Sequence, residues 1–578
     1  MPIVVVRRQA TMWDLQLPLI LGLISPCEPL SPLRTGPSPL RRRSPPPPPL
    51  RLSAFDPDRD PLSTAASSTS DLSAPTPTPT PPPPRRFLIL GGTGRIGTAV
   101  ASHLLLRDPS SEVTLAGRDR DRGRAAVREV TAEHPAAAVA DGPGGVSYLE
   151  LDWRDDRSLR GYLSGCGDGD GYGDGGYDCL VHAAGPYLGE SPSPLAAAIA
   201  AAAAVPRGAR GCRAYVDLSD PLEYLDESLS MSDDAEAAGL SASIASGAFP
   251  GMSNVLAADA AARLMEERDE GGSRVNGGIG DVRFNYFTAG LGGSGDVNLY
   301  ITNVGFGEPM VQYGEGALRN YGCLSGKLLG KVSFYLEGGD VLSSPESGNV
   351  TPGAVPGFGN DAARERVGRR TVFSWPFPEA ATVPRHLGSG VFKGNSSAAM
   401  GTAPDVWNDM LGVLVRVVPR PWWRSERFSR FLADFSQPLV RATDALLRLS
   451  SPDGMGETHA MRVDVTSEDG GLAFSTVQAH ESFRRCVGQS CAEFALDLLD
   501  HPSPGVRTPE GRYGGIYDLD DDDELAKCAR GRIVARLTTT PGTFAYTGPV
   551  RVRSAPAPTD LESALREAES EEDRLSRP

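Results

Sequence analysis

The run Gly91-Gly92-Thr93-Gly94-Arg95-Ile96-Gly97 is the segment of this 578-residue chain whose residue types and spacing point most directly to chemistry. A pyrophosphate is held by backbone N–H groups brought very close to it. Gly92 can supply the tight turn, Gly94 the close approach, and Gly97 the close helix-to-strand contact. A helix starting near Gly94 would point its positive end at the phosphates. The spacing therefore predicts a dinucleotide cradle over Gly91, Gly92, Thr93, Gly94, Arg95, Ile96 and Gly97.

A second run, Gly290-Leu291-Gly292-Gly293-Ser294-Gly295, has the same spacing. The stretch after it, Asp296 to Val304, is rich in Val, Ile and Thr and reads as a strand. It is therefore assigned to a glycine-rich loop rather than to a cofactor turn.

Other candidates fall where a dinucleotide would pass. Arg118 follows the second predicted strand and can pair with a 2′-phosphate, which favours NADP. Asp119 comes next, and an acid at this point hydrogen-bonds a ribose 2′-hydroxyl, so NAD stays open. Asp152 and Trp153 end the third strand, where side chains flank adenine. Ala183-Ala184-Gly185-Pro186 ends the fourth, where small residues leave room for the nicotinamide side. His182, Tyr187 and Asp217 are candidate proton donors or acceptors at strand ends. Each has a plainer alternative: a packed strand-end residue, a ring lining the cleft, and a helix cap. His459 and His480 read as core or sheet residues. No Ser-His-Asp arrangement and no metal-ligand spacing stands out, so no metal is expected.

The elements needed to position these residues are legible. Phe87 to Leu90 reads as a strand and Thr98 to Leu106 as a helix. Strands at 112–116, 146–151, 178–182 and 214–218 alternate with helices at 121–133 and 195–204. That alternation predicts an α/β fold, a Rossmann domain with a parallel sheet over 85–260. From 261 to 552 the texture becomes α+β, with strands at 282–287, 298–304, 461–466 and 472–480. Helices are expected at 406–418, 428–449 and 491–499. This segment is read as a substrate or dimerisation domain.

Residues 1–84, with runs of proline and Thr-Pro alternation, cannot bury a core and read as a disordered leader. Seven Arg against Asp14 and Glu28 up to Phe55, with Leu15 to Ile24 apolar, resemble a plastid transit leader; Ser53-Ala54-Phe55 is similar to its cleavage region. Residues 165–177 read as a flexible insertion, and 553–578 as an acidic tail. The net charge of −16 without a basic stripe argues against nucleic acid. Eight scattered cysteines suit a reducing compartment. No apolar stretch is long enough to span a membrane. Val413 to Val418 followed by Trp422-Trp423-Arg424 offers a membrane-surface alternative, which is not favoured.

The ordered set of motifs resembles the saccharopine dehydrogenase-like oxidoreductases, also called the saccharopine reductase type. It comprises the glycine turn, Ala116-Gly117-Arg118, His182-Ala183-Ala184-Gly185-Pro186-Tyr187, Tyr215-Val216-Asp217-Leu218, Phe249-Pro250-Gly251-Met252-Ser253-Asn254, Pro504-Gly505-Val506 and Pro509-Glu510. The resemblance covers roughly 85–550. It implies a cofactor cleft between two domains and hydride transfer at a C–N or C–O centre of a small metabolite. A homodimer is also compatible with it. Short-chain dehydrogenases open on similar glycines but use Tyr-x-x-x-Lys. The residues four before Lys327, Lys331, Lys393 and Lys527 are Cys323, Lys327, Ser389 and Asp523, so that pair is absent. The lack of a clear acid/base pair leaves a non-catalytic NAD(P)-binding scaffold or sensor as the alternative.

Overall fold

The computed structural model describes residues 83–135, 145–164, 176–206, 210–270, 278–289, 295–321, 325–338, 341, 357–403, 405–450, 457–514 and 523–553. The readings of the leader up to residue 82, of 165–175, of the run at 290–294 and of the tail beyond 553 lie outside these residues.

The first half runs β1 (Arg86–Leu90), α1 (Arg95–Arg107), β2 (Glu112–Gly117), α2 (Arg120–Glu133), β3 (Gly145–Glu150), α3 (Asp156–Ser164), β4 (Cys179–His182), α4 (Ser193–Ala204), β5 (Ala214–Asp217), α5 (Leu222–Leu229), α6 (Ser232–Ala238) and β6 (Ser241–Ser243). The chain continues through α7 (Met252–Glu270), β7 (Ile279–Ala289), α8 (Gly295–Gly305), β8 (Met310–Gly314), β9 (Ala317–Tyr321), β10 (Leu328–Ser333), α9 (Asn360–Arg366), β11 (Arg369–Ser374), α10 (Glu379–Val391) and β12 (Ser396–Ala403). It ends with α11 (Asp405–Val417), α12 (Arg420–Trp423), α13 (Glu426–Ser450), β13 (His459–Ser467), β14 (Ala473–His480), α14 (Phe483–Asp500), β15 (Gly505–Arg507), α15 (Pro509–Tyr513), α16 (Asp523–Thr538) and β16 (Thr543–Val552).

The first sheet is parallel throughout, in the order β3-β2-β1-β4-β5-β6-β15. Its first six strands have the Rossmann order, which reverses between β1 and β4. Side chains alternate across a strand, and β1 shows the consequence. Phe87 and Ile89 enter one core cluster, while Leu88 and Leu90 enter another. A strand buried on both faces needs helices on both sides, which explains its unbroken apolar run.

The second sheet is mixed, in the order β10-β11-β12-β7-β13-β14-β16. Within it β12 and β7 run parallel and the other neighbours antiparallel. An α+β domain thus follows the Rossmann sheet. One sequence expectation fails here. Residues 296–304, read as a strand, lie in α8. Leu299 packs with Trp407 and Ala433, and Asn303, one turn on, donates to the Ser429 carbonyl. Burial of a helical face outweighs the β preference of Val, Ile and Thr. A following strand therefore does not set the Gly290 run aside. Sheet position does: β7 lies inside the mixed sheet with an antiparallel neighbour, whereas β1 borders the strand-order reversal.

The division expected at 260/261 falls inside α7. Two C-terminal pieces also return to the first sheet. β15 pairs with β6 as the seventh parallel strand. α14 lies against α1 so closely that a Cβ on Gly488 would come within 2.7 Å of the Ala99 Cβ. Buried Glu493 accepts from His103 at 2.7 Å and from Arg107 at 2.9 Å across that contact. One core cluster holds Phe87 and Val100 of the first sheet layer together with Phe284 and Val463 of the second sheet.

Candidate functional site

The glycine turn leaves β1 where the strand order reverses. Gly91 has φ +70°, and a Cβ there would lie 2.8 Å from the Ala183 carbonyl oxygen. A Cβ on Gly92 would meet the Leu115 Cα at 2.7 Å, and one on Gly97 the Gly91 oxygen at 2.4 Å. The turn is thus wedged between the end of β4, β2 and its own helix, with no space for a Cβ at Gly91, Gly92 or Gly97. Gly94 caps α1 through backbone alone. No side chain caps that end and no acid occupies its first turn. A helix start left open and free of negative charge fits a pyrophosphate. Gly117 lets the Thr93 side chain lie against the end of β2, since a Cβ there would be 2.8 Å from Thr93 Cγ2.

Arg118 and Asp119 divide their roles. The Asp119 carboxylate caps α2, accepting from the Asp121 N–H at 2.9 Å and the Arg122 N–H at 3.0 Å. The Arg122 N–H leads the forces that hold its pKa below the usual value. Arg118 is exposed and has no hydrogen bond or ion pair among the described residues. Asp152 is exposed beyond β3 and accepts from the Arg154 N–H. Beside it, Trp153 carries the Arg154 guanidinium 4.3 Å above its ring and meets His182 edge-on at 5.1 Å. Ala184 and Gly185 follow β4, with Ala184 partly buried and Gly185 exposed.

His182, Tyr187 and Asp217 come together, as part of the framework. The His182 ring is buried between Trp153 and Tyr187. Burial, aided by the Arg154 charge, lowers its pKa to about 3. Tyr187 Oη donates to the His182 carbonyl at 2.5 Å and accepts from the Leu218 N–H at 3.3 Å, tying β4 to β5. Asp217 is fully buried. Its carboxylate accepts from Ser219 N and Oγ, from Ala245 N and from Tyr215 Oη. None of the three lines the large cleft described next.

That cleft, about 240 Å³, opens beside the loops that leave β4 and β5. Leu188 and Asp220 to Glu223 form its first-domain wall; the second sheet, α8 and α11, with Phe249, Trp375 to Pro378 and Phe483, line much of the rest. Asp220 is partly buried there. Burial first, then the nearby Asp217 charge, raises its pKa to about 7. Sequence reading passed over Asp220. Its signal was an acid just past a predicted parallel strand, in Ser219-Asp220-Pro221.

The segment Phe249 to Asn254, a turn that runs into the first residues of α7, joins the two domains. Phe249 stacks on Tyr286 at 4.3 Å and on His459 at 5.0 Å, with Phe377 and Phe483 around it. Asn254 donates to Glu510 at 2.9 Å and to Thr382 at 3.3 Å, bringing two distant sequence motifs into one buried contact. Tyr286 Oη donates to Glu379, whose other oxygen is buried without a partner. Burial pushes the Glu379 carboxyl up to about 8, against the Tyr286 hydrogen bond and with help from Glu510 and Asp220. Nothing in the sequence marked Glu379.

No family model matches the chain, and no curated protein matches it. Solved structures match parts of it. AtPrR2 in apo form is 16% identical over 30% of this chain, at a TM-score of 0.20; the match spans 52% of AtPrR2. A metagenomic short-chain oxidoreductase in complex with NADP is 17% identical over 28% of this chain and 80% of its own, at 0.19. A short-chain dehydrogenase from Sphingobium yanoikuyae in complex with NADPH is 18% identical over 28% of this chain and 70% of its own, at 0.18. At these scores the matches carry no argument about activity.

Proposed function

We propose that the chain is an NADP-dependent oxidoreductase that uses the cleft between its two sheets, of the kind its ordered motifs resemble. The observation that carries the reading is the uncapped, acid-free start of α1 behind a turn with no room for a Cβ at Gly91, Gly92 or Gly97, together with the unpaired guanidinium of Arg118. When bound, a nicotinamide dinucleotide supplies hydride, two electrons to the carbon of a C=O or C=N bond. The Gly92 and Gly94 N–H groups close the turn on the Ile89, Ala116 and Gly91 carbonyls, so Thr93 and the first N–H groups of α1 would hold the pyrophosphate, and Arg118 the 2′-phosphate. Asp220 would hold a proton near neutral pH and pass it to the oxygen or nitrogen that receives the bond pair. His182, too acidic as an imidazolium, and the doubly bonded Tyr187 support the site without exchanging protons.

The test is absorbance of NADPH with the full chain over carbonyl and imine panels. Oxidation with any member supports turnover. Silence across the panels, with NADPH bound, favours a non-catalytic binding protein.

One observation favours an added membrane-surface role. Val413, Val417, Phe431 and Phe435, on α11 and α13, make up half of the large apolar side chains exposed among the described residues. The Trp422-Trp423 pair contributes less than expected, because Trp423 is fully buried against Phe306 and Phe428. Flotation with anionic liposomes supports this role, and its absence removes it.

A further inference from the structure

The cleft has a polar stripe on an apolar body. Thr402 of β12 and Thr288 of β7 are direct partners in the parallel ladder, so both side chains stand on one face. Both line the cleft, both are more than nine-tenths buried, and neither hydroxyl has a hydrogen-bond partner. His459 of β13 is the next partner in the same row. Its Nδ1 hydrogen-bonds the Phe287 carbonyl, and its buried Nε2 has no partner. Buried polar groups in folded proteins are normally satisfied, and those left open in a concavity are the ones a ligand completes.

The remaining wall defines what carries the polar group. Phe249, Phe306, Phe373, Trp375, Phe377 and Phe483 supply flat apolar surface. Among the described lining residues there is no lysine or arginine, while Asp220, Glu223 and Glu308 are present. Arg424, whose charge reaches Glu308, is turned to the Gly307 carbonyl and does not line the cleft. A carboxylate entering here would lose water and gain no cation.

We infer that the cleft takes an uncharged, largely apolar substrate, ring-bearing or chain-like, whose carbonyl oxygen is held by the hydroxyls of Thr288 and Thr402. This rests on the oxidoreductase reading for what happens to the substrate, but not for its binding. It separates this chain from enzymes that act on amino-acid dicarboxylates, which require paired cations at the site.

The test uses the full chain and calorimetric titration with three probes of one body: 2-acetylnaphthalene, 2-naphthoate and 2-methylnaphthalene. The ketone is expected to bind at least tenfold tighter than the carboxylate. The double variant Thr288→Val, Thr402→Val is expected to lose at least fivefold for the ketone and nothing for the hydrocarbon. Gly412→Leu, placed on a cleft-lining helix with only Phe373 near its Cβ position, is expected to abolish binding of all three. Each variant is also titrated with NADPH. Ketone binding without NADPH binding overturns the cofactor reading and leaves the inference standing. NADPH binding with no ketone binding overturns the inference alone. Carboxylate binding as tight as the ketone's, or ketone binding indifferent to Gly412→Leu, also overturns it.

Discussion

Arg118 and Asp119 are adjacent in the chain and point to opposite cofactors when read as letters. Their contacts separate them. Asp119 spends its carboxylate on the cap of α2, and Arg118 is left free for an incoming charge. Arg118→Ala is therefore expected to weaken NADPH by roughly tenfold to a hundredfold, about 1.5–3 kcal/mol for a charge-assisted contact, and to leave NADH unchanged. Parallel titrations of the two nucleotides check this. Glu379 offers a test by pH. Its ordinary value is 4.5 and its folded value is about 8, so the folded state holds its proton. The stability this contributes is fully present below the unfolded value and is lost as pH rises through the folded one. Glu379→Gln keeps the neutral shape without the titration. Denaturant melts should then show the variant gaining on the wild type from about pH 5 to about pH 8. A pH-independent difference would contradict the assignment. Residues such as Glu379 and Asp220 were hard to read from sequence because their character comes from burial by distant segments. The glycines were easy because their character is local.

At the scale of elements, the turn and α1 form one device. A methyl at Gly97 has backbone at 2.4 Å and 2.6 Å, so the turn must shift to admit it. Gly97→Ala is expected to cost about 1–3 kcal/mol of stability and at least tenfold in NADPH affinity, read by thermal melting and titration. The strands of the first sheet up to β5, with α1, α2 and α4, were legible because each repeats a local period; α3, between β3 and β4, was not read. β6 and β15, three residues each, were not, since so short a run has no period to read. α8 was misread for the complementary reason: its β-branched composition is overruled by packing on Trp407 and Ala433. Pro504-Gly505-Val506 was recognised as a motif, but its role as the seventh strand depends on Ser241 to Ser243, far away in the chain.

At the scale of the whole molecule, the first sheet is not self-sufficient. α14 covers α1, β15 closes the β6 edge, and one core cluster runs from Phe87 to Val463. A fragment of residues 85–260 would expose the apolar face of α1 and an open strand edge. It is expected to aggregate or to lack a cooperative melt, whereas 85–553 melts cooperatively; scanning calorimetry of both checks this. A stable, cooperative fragment would mean that the shared core contributes little. The central claim concerns the dinucleotide at the end of β1, where the strand order reverses and Arg118 waits beyond β2. Titration of the full chain with NADPH and NADH side by side tests it most directly. The account predicts saturable binding of both, with NADPH at least tenfold tighter. A folded protein that binds neither, or that prefers NADH, would contradict it.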